Sequence, residues 1–276
     1  MGTSNARSFD WRCFGGTWGV SLESWVLQRI LIFRYMSRST GRVVLALSFL
    51  VGCQGMLGWF MVKSGLSVNI IEEKKPARVS HLFLSAHLAS AFLIYAGLIT
   101  ESLKILTGNQ AMKPIRQLRG LGIYTAGLVA LIYVTVISGA WVAGLDAGLI
   151  YNEFPYMGLN LVPSDMWSLS TSPNTMTWYE NLIHNPASVQ FIHRSLAITT
   201  FTLVAIGWVS TRIFVKHRVH RGAFNLLFAV VGCQATLGIA TLLMYVPVNL
   251  AATHQAGSLT LFTVALWILH RIRTTR

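Results

Sequence analysis

Three histidines, His87, His193 and His254, stand inside strongly apolar stretches of the chain. There an imidazole is costly unless it is hydrogen-bonded or bound to a metal. Two of the three belong to copies of one unit. Residues 51–58 read VGCQGMLG and residues 231–238 read VGCQATLG, an offset of 180, and past each copy comes a histidine in a similar frame, His87-Leu-Ala-Ser and His254-Gln-Ala-Gly. Such a duplication has to be recognised before any fold is inferred. Neutral imidazole ligates metals and haem iron, relays protons in transporters, or serves as a plain interhelical hydrogen-bonding group. All three chemistries are open at these positions. The second copy also carries His193, about 40 residues before its VGCQ; the position 180 earlier is Cys13, so the first copy has no matching histidine.

The elements that must hold these residues are membrane helices. Of 276 residues, 53% are hydrophobic and only 11% charged, against about 25% charged in soluble domains. Six stretches approach the length of about 20 apolar residues that a bilayer core requires: Val43–Val62, Leu82–Ile99, Leu121–Val142, Val189–Val215, Phe224–Met244 and Leu250–Leu269. A seventh candidate, Trp18–Phe33, is interrupted by Glu23 and Arg29. The expected fold is therefore an all-α polytopic membrane protein. The net charge of +13 sits in short loops between apolar runs, a pattern of topology determinants that argues against a nucleic-acid partner. Cys53 and Cys233 are expected to be small packing residues within their spans; no C-x-x-C or Cys/His zinc spacing is present.

Charge orients the bundle. Arg29, Arg34, Arg38 and Arg42 precede the first span; Lys104, Lys113, Arg116 and Arg119 follow the second; Arg212, Lys216, Arg218 and Arg221 follow the fourth; Arg271, Arg273 and Arg276 end the chain. Asp146 to His184 contains four acids and no Lys or Arg. The basic loops are expected inside and the acidic loop outside. Lys63–Ser80 is outside by alternation, although Lys63, Lys74, Lys75 and Arg78 are atypical there. Both VGCQ copies then run from inside to outside, so the repeat is parallel, about an axis along the membrane normal. A complete unit has four helices. Residues 121–276 supply a whole second repeat, and 41–120 read as a remnant of the first, giving six clear helices of an ancestral eight.

In this frame His87, His193 and His254 all lie about a turn in from the outer surface. Histidines on different helices at one depth suit axial ligation of a haem standing between them. Arg194, next to His193, is a candidate partner for a haem propionate, or else snorkels to headgroups. His81 and His184 are expected at the outer interface and loop, His217 and His220 in solvated inside surface, and His270 snorkelling at the inside end.

Longer motifs narrow the choice. Residues 138–158 read SGAWVAGLDAGLIYNEFPYMG, 185–194 read NPASVQFIHR, 252–255 read ATHQ and 58–66 read GWFMVKSGL, with Arg78-Val-Ser and Ala86-His87-Leu88 between them. From about Gly41 to Arg273 the chain strongly resembles haem A synthase, in the form found in mitochondria and alphaproteobacteria. The resemblance implies eight transmembrane helices in two halves, each with a histidine pair near the outer face. It makes His193 and His254 the axial ligands of a b-type haem iron, and His87 a member of the N-terminal pair, on the side of the substrate, haem O. The implied reaction oxidises the C8 methyl of haem O to the formyl of haem A for cytochrome c oxidase. Implied partners are a ferredoxin-like electron donor, haem O synthase, cytochrome oxidase assembly factors and the lipid bilayer. The implied location is the mitochondrial inner membrane, or the bacterial inner membrane in a prokaryote.

Residues 1–40 depart from the family. They show neither its Gly/Thr-rich first helix nor its Glu followed by His-Arg; Glu23 lacks the His-Arg. The expectation is an N-terminally truncated or altered form, with 1–40 a basic segment, transit peptide or altered exon. Two other readings stay open: a non-catalytic haem-binding paralogue or assembly factor, and a repeat-built transporter using its histidines as a proton relay. Asp146 and Glu153 in the outer loop have possible roles in proton delivery or loop anchoring, with capping as the plainer alternative. Gly139, Gly144 and Gly148 are expected to permit close packing and a tight helix exit, and Trp141, Trp167 and Trp178 to form an interfacial belt.

Overall fold

Backbone in lipid must satisfy its own hydrogen bonds, and the apolar runs do so as helices. The computed structural model describes residues 37–66, 78–108, 118–166 and 178–275. Its helices are α1 (Arg38–Gly65), α2 (His81–Leu106), α3 (Arg119–Gly144), α4 (Trp178–His184), α5 (Pro186–Phe214), α6 (Arg218–Leu243) and α7 (Val248–Thr274). A short 3₁₀ turn, Ala147–Leu149, follows α3. No strand forms among the described residues. This is an all-α polytopic membrane protein. The helices α1, α2, α3, α5 and α6 are long and apolar enough to cross a bilayer. The sixth expected span, Leu250–Leu269, lies within the 27 residues of α7, but Thr253, His254, Gln255, Ser258 and Thr260 make its first half polar. Trp18–Phe33, Cys13 and Trp167 lie outside the described residues.

Two compact units divide the chain, residues 1–46 and 47–276. In the first, Ser37 starts α1 by accepting the Thr40 N–H at 3.1 Å, an N-cap that satisfies one of the helix's orphan donors. In the second, α3 packs on α5, α5 on α6, α6 on α7 and α7 back on α3, closing a four-helix ring; α2 leans on α3 and α7. Asn185 begins α5 by accepting the Ala187 N–H at 3.0 Å, with Pro186 in the first turn, where its missing N–H costs nothing. Polar contacts join the helices: Thr135 to Thr200 at 3.0 Å within the ring, and, from α2 to the ring, Tyr133 to the Ala89 carbonyl at 3.1 Å and Tyr95 to Thr263 at 2.7 Å.

The core occupies one end of this ring. Leu128 and Ile132 of α3, Val204 of α5, Phe224, Leu227 and Val231 of α6, and Leu261, Phe262, Ala265, Ile268 and Ile272 of α7 are buried together. Gly207 lets α5 approach α6; a Cβ there would stand 2.8 Å from the Phe224 ring. The adjoining layer differs. Across residues 133–137, 191–199, 232–240 and 248–260, no side chain is buried.

Two expectations are corrected. Cys53 and Cys233 are exposed, so they do not pack within the bundle. His220 is 1% exposed, not solvated: it shares the face of α6 that carries Ala223, Phe224, Leu227 and Val231, and the helical period carries it inward. His217, one turn earlier, is exposed as expected. Phe224→Ala should lower the thermal midpoint of the purified protein, at a cost of about 3 kcal/mol, while Cys233→Ala should leave it unchanged.

Candidate functional site

Each of the three histidines lies against a glycine of a neighbouring helix. A Cβ on Gly58 would stand 3.0 Å from His87 Cε1, one on Gly139 3.1 Å from His193 Cε1, and one on Gly238 2.8 Å from His254 Cε1. Such distances are at or inside the closest approach of real carbons, so the imidazoles sit where a side chain would otherwise be. Four residues before the glycine of each VGCQ copy comes a glutamine, and its amide clasps the histidine's own backbone. Gln54 Nε2 donates to the His87 carbonyl at 2.9 Å, and Gln234 Nε2 donates to the His254 carbonyl at 2.9 Å. The repeat is thus a device: glutamine sets the register of two helices and glycine receives the ring. The octamers display both residue types, yet only the histidines beyond them stand out in the sequence as chemistry.

The copies differ three residues past the histidine. Ser90 donates to Gln54 Oε1; its counterpart is Gly257, and Gln234 Oε1 has no partner. His193 has its own surroundings. Ser138 Oγ lies 2.8 Å from His193 Nδ1, and the Thr135 carbonyl faces the same ring. His193 and His254 come close enough to interact electrostatically. Among the described residues no group of three or more His, Cys, Asp or Glu side chains gathers around a point.

Arg194 holds the outer loop onto α5. Its guanidinium donates to the carbonyls of Tyr151 at 2.7 Å, Glu153 at 2.8 Å and Tyr156 at 3.1 Å. Gln190, one turn earlier, donates to the same Tyr151 carbonyl at 2.9 Å. Asn185 Nδ2 reaches the carbonyls of Asp165 and Met166, each at 3.0 Å, and Ser188 donates to Met166 as well. Asn152 ties the loop to α6 through the Leu242 carbonyl at 2.8 Å. Asp146 takes a left-handed φ of 50° and pairs with Arg78, which puts the segment before α2 at the same end of the bundle as the acidic loop. Glu153 is exposed. Tyr151 donates to Asp165 Oδ1 at 2.6 Å, and that bond, with some burial and the carboxylate's charge, pushes its phenol up to about 12.

Other predicted positions resolve as packing. His81 and His184 meet edge to face with ring centres 5.0 Å apart, and Gly144 lies against His81. His270 Nε2 contacts Thr107 Oγ1 at 3.2 Å, so it bridges α7 to α2 and does not snorkel. Gly148 lies against Val246. Trp141 Nε1 donates to Ser85 Oγ at 2.8 Å, an interhelical role beyond the expected belt, while Trp178 is exposed.

A profile of the family described as cytochrome oxidase assembly protein, COX15-CtaA, matches residues 9–266. The chain belongs to this family. Within it, the chain is 44% identical over 245 residues to Heme A synthase COX15 of Mus musculus, covering 87% of this chain and 56% of the relative. It is 42% identical over 226 residues to Heme A synthase of Nitrosospira multiformis, covering 82% and 60%. A third relative, in Schizosaccharomyces pombe, is named Heme A synthase-mitochondrial ferredoxin fusion protein; it is 39% identical over 259 residues, covering 83% and 41%. The chain spans little more than half the length of the first relatives.

In this COX15-CtaA chain the loop clamp is separable from the histidines. Arg194→Ala removes three charge-assisted bonds, each contributing about 1.5–3 kcal/mol, and should markedly speed limited proteolysis within residues 150–166. The Tyr151 phenol has its pKa raised above the unfolded value, so its contribution to stability is complete below about pH 10 and is lost as pH rises through about 12. Tyr151→Phe should delete the latest-titrating tyrosine from an alkaline ultraviolet titration.

Proposed function

We propose that this chain is a haem A synthase that oxidises the C8 methyl of haem O to the formyl of haem A, with His193 and His254 as axial ligands of a b-type haem. The observation that carries this reading is a pair of histidines, His193 on α5 and His254 on α7, each lying against a glycine of a neighbouring helix and close enough to interact. A flat macrocycle needs two imidazole nitrogens, and these residues supply them. Arg194 supplies positive charge beside His193 for a propionate.

When bound, the haem supplies one-electron redox chemistry. The protein's own tasks are to orient the rings, keep water out and present the substrate edge. Gln234 and Gly238 orient His254; Gly139 orients His193. The clamped loop of residues 145–166 closes the outer end above them. His87, held by Gln54 and Gly58 as His254 is by Gln234 and Gly238, serves the haem O side. Asp146 and Glu153 carry negative charge at that end, Asp146 through its anchoring pair with Arg78. A ferredoxin-like donor is supported by the name of the Schizosaccharomyces pombe relative. An inner membrane, mitochondrial or bacterial, follows from the same family relationship, with haem O synthase and oxidase assembly factors as neighbours.

Purified from a haem-replete host, the chain should give a b-type reduced-minus-oxidised spectrum. His193→Ala and His254→Ala should each abolish it, while His87→Ala should retain it. In a host that makes haem O but lacks its own enzyme, expression should yield extractable haem A, and His87→Ala should lower that yield at least tenfold. An unchanged spectrum in His254→Ala would overturn the ligand assignment; a normal spectrum without haem A would favour a non-catalytic haem-binding role.

A further inference from the structure

The three glycine–histidine pairs share one geometry but not one neighbour. The residue preceding the glycine is Leu57 in the first pair and Leu237 in the third, but Ser138 in the second. Ser138 is 3% exposed. Its hydroxyl donates to the Thr135 carbonyl at 2.7 Å, and its oxygen lies 2.8 Å from His193 Nδ1. A hydroxyl has one proton. With that proton on the carbonyl, the oxygen can only accept from the ring. The Thr135 carbonyl facing the same imidazole is likewise an acceptor only. An accepting Ser138 oxygen calls for the hydrogen on Nδ1, which leaves the lone pair on Nε2. At His254 the Gln234 carbonyl, counterpart of Thr135, faces the ring, but the residue before the glycine is Leu237, as it is Leu57 beside His87, so neither ring has a hydroxyl like that of Ser138.

We propose that Ser138 is a positioning residue that fixes His193 in its Nδ1–H tautomer, presents Nε2 to the iron, and makes the two axial ligands chemically unequal. The proposal rests on the haem reading for its consequence, but the tautomer is a property of the chain alone. An imidazole that donates from its far nitrogen is the more basic ligand. A more basic ligand favours the ferric state, so Ser138 lowers the midpoint potential of the haem it serves. His254, with the Gln234 carbonyl but no hydroxyl beside it, is the less basic ligand.

The test has two arms on the full chain. In the first, ¹⁵N-histidine NMR of the purified protein without haem reads the tautomer directly. His193 should be Nδ1–H in the wild type and in Ser138→Thr, which keeps the hydroxyl, and should become mixed or Nε2–H in Ser138→Ala. An Nε2–H signal for His193 in the wild type overturns the proposal whatever the haem content. In the second arm, spectroelectrochemical titration of the haem-loaded protein should show a midpoint shifted to more positive potential in Ser138→Ala, with a changed low-spin ferric signal in electron paramagnetic resonance, and restored toward wild type in Ser138→Thr. Leu237→Ser, which adds a hydroxyl at the matching place beside His254, should shift the midpoint the other way. Unchanged potential and ferric signal in a haem-replete Ser138→Ala overturn the proposal, as does loss of haem in Ser138→Ala and Ser138→Thr alike, which would make Ser138 a packing residue. A wild type that shows the expected tautomer yet binds no haem would instead sink the haem reading and leave the hydrogen bond standing.

Discussion

Through the segments that carry His193 and His254 the four-helix ring has no buried side chain, and its contacts there are polar. Elsewhere in the bundle α3, α5, α6 and α7 meet through Leu128, Phe224, Phe262 and Ile268, and dispersion between those side chains keeps the helices at packing distance. In the layer of His193 and His254 that cement is missing. Backbone carbonyls are clasped there instead: the Gln234 amide on His254, Arg194 and Gln190 on the loop. Polar bonds stand there in the place of apolar packing. The full core at one end and the polar clasps at the other are two halves of one solution.

Duplication explains how the solution arose twice and why the copies have drifted. The glutamine, the glycine and the histidine are present in both, the amide bridging two helices and the glycine leaving room for the ring. Positions around them have diverged. Ser90 completes the amide oxygen of Gln54, whereas Gly257 leaves that of Gln234 unpartnered. The α3–α5 pair reaches the same imidazole-on-glycine contact without a glutamine, using threonines in its place. The ring-on-glycine contact is thus the invariant of the fold, and the hydrogen bonds around it are the variables.

Much of this was legible in the residues. Apolar runs located the helices, because length and hydropathy dictate a bilayer span, with ends that differ by up to seven residues, as at Ile99 against Leu106. Less visible were facts that depend on which face of a helix turns inward. His220 looked solvated from its basic neighbours, yet the period of α6 buries it. Cys53 and Cys233 looked like packing residues from their apolar surroundings, yet they point outward, because in a membrane an apolar neighbourhood does not distinguish core from lipid. Ser138 could not be singled out, since its meaning comes from a ring 55 positions away. The short helix α4 carries too few residues for periodicity to reveal it.

The loop clamp has a bearing on how this protein can vary. Gln190 and Arg194 stand one helical turn apart and both grip the Tyr151 carbonyl, with His193 lying between them in sequence. The loop is therefore measured against α5 like a ruler laid on a scale. Adding or deleting a residue between Leu145 and Tyr156 would slide every carbonyl past its donor. Surface connections ordinarily absorb insertions freely; this one has a fixed length, and tolerance should be confined to the tip around Leu159, which is 98% exposed.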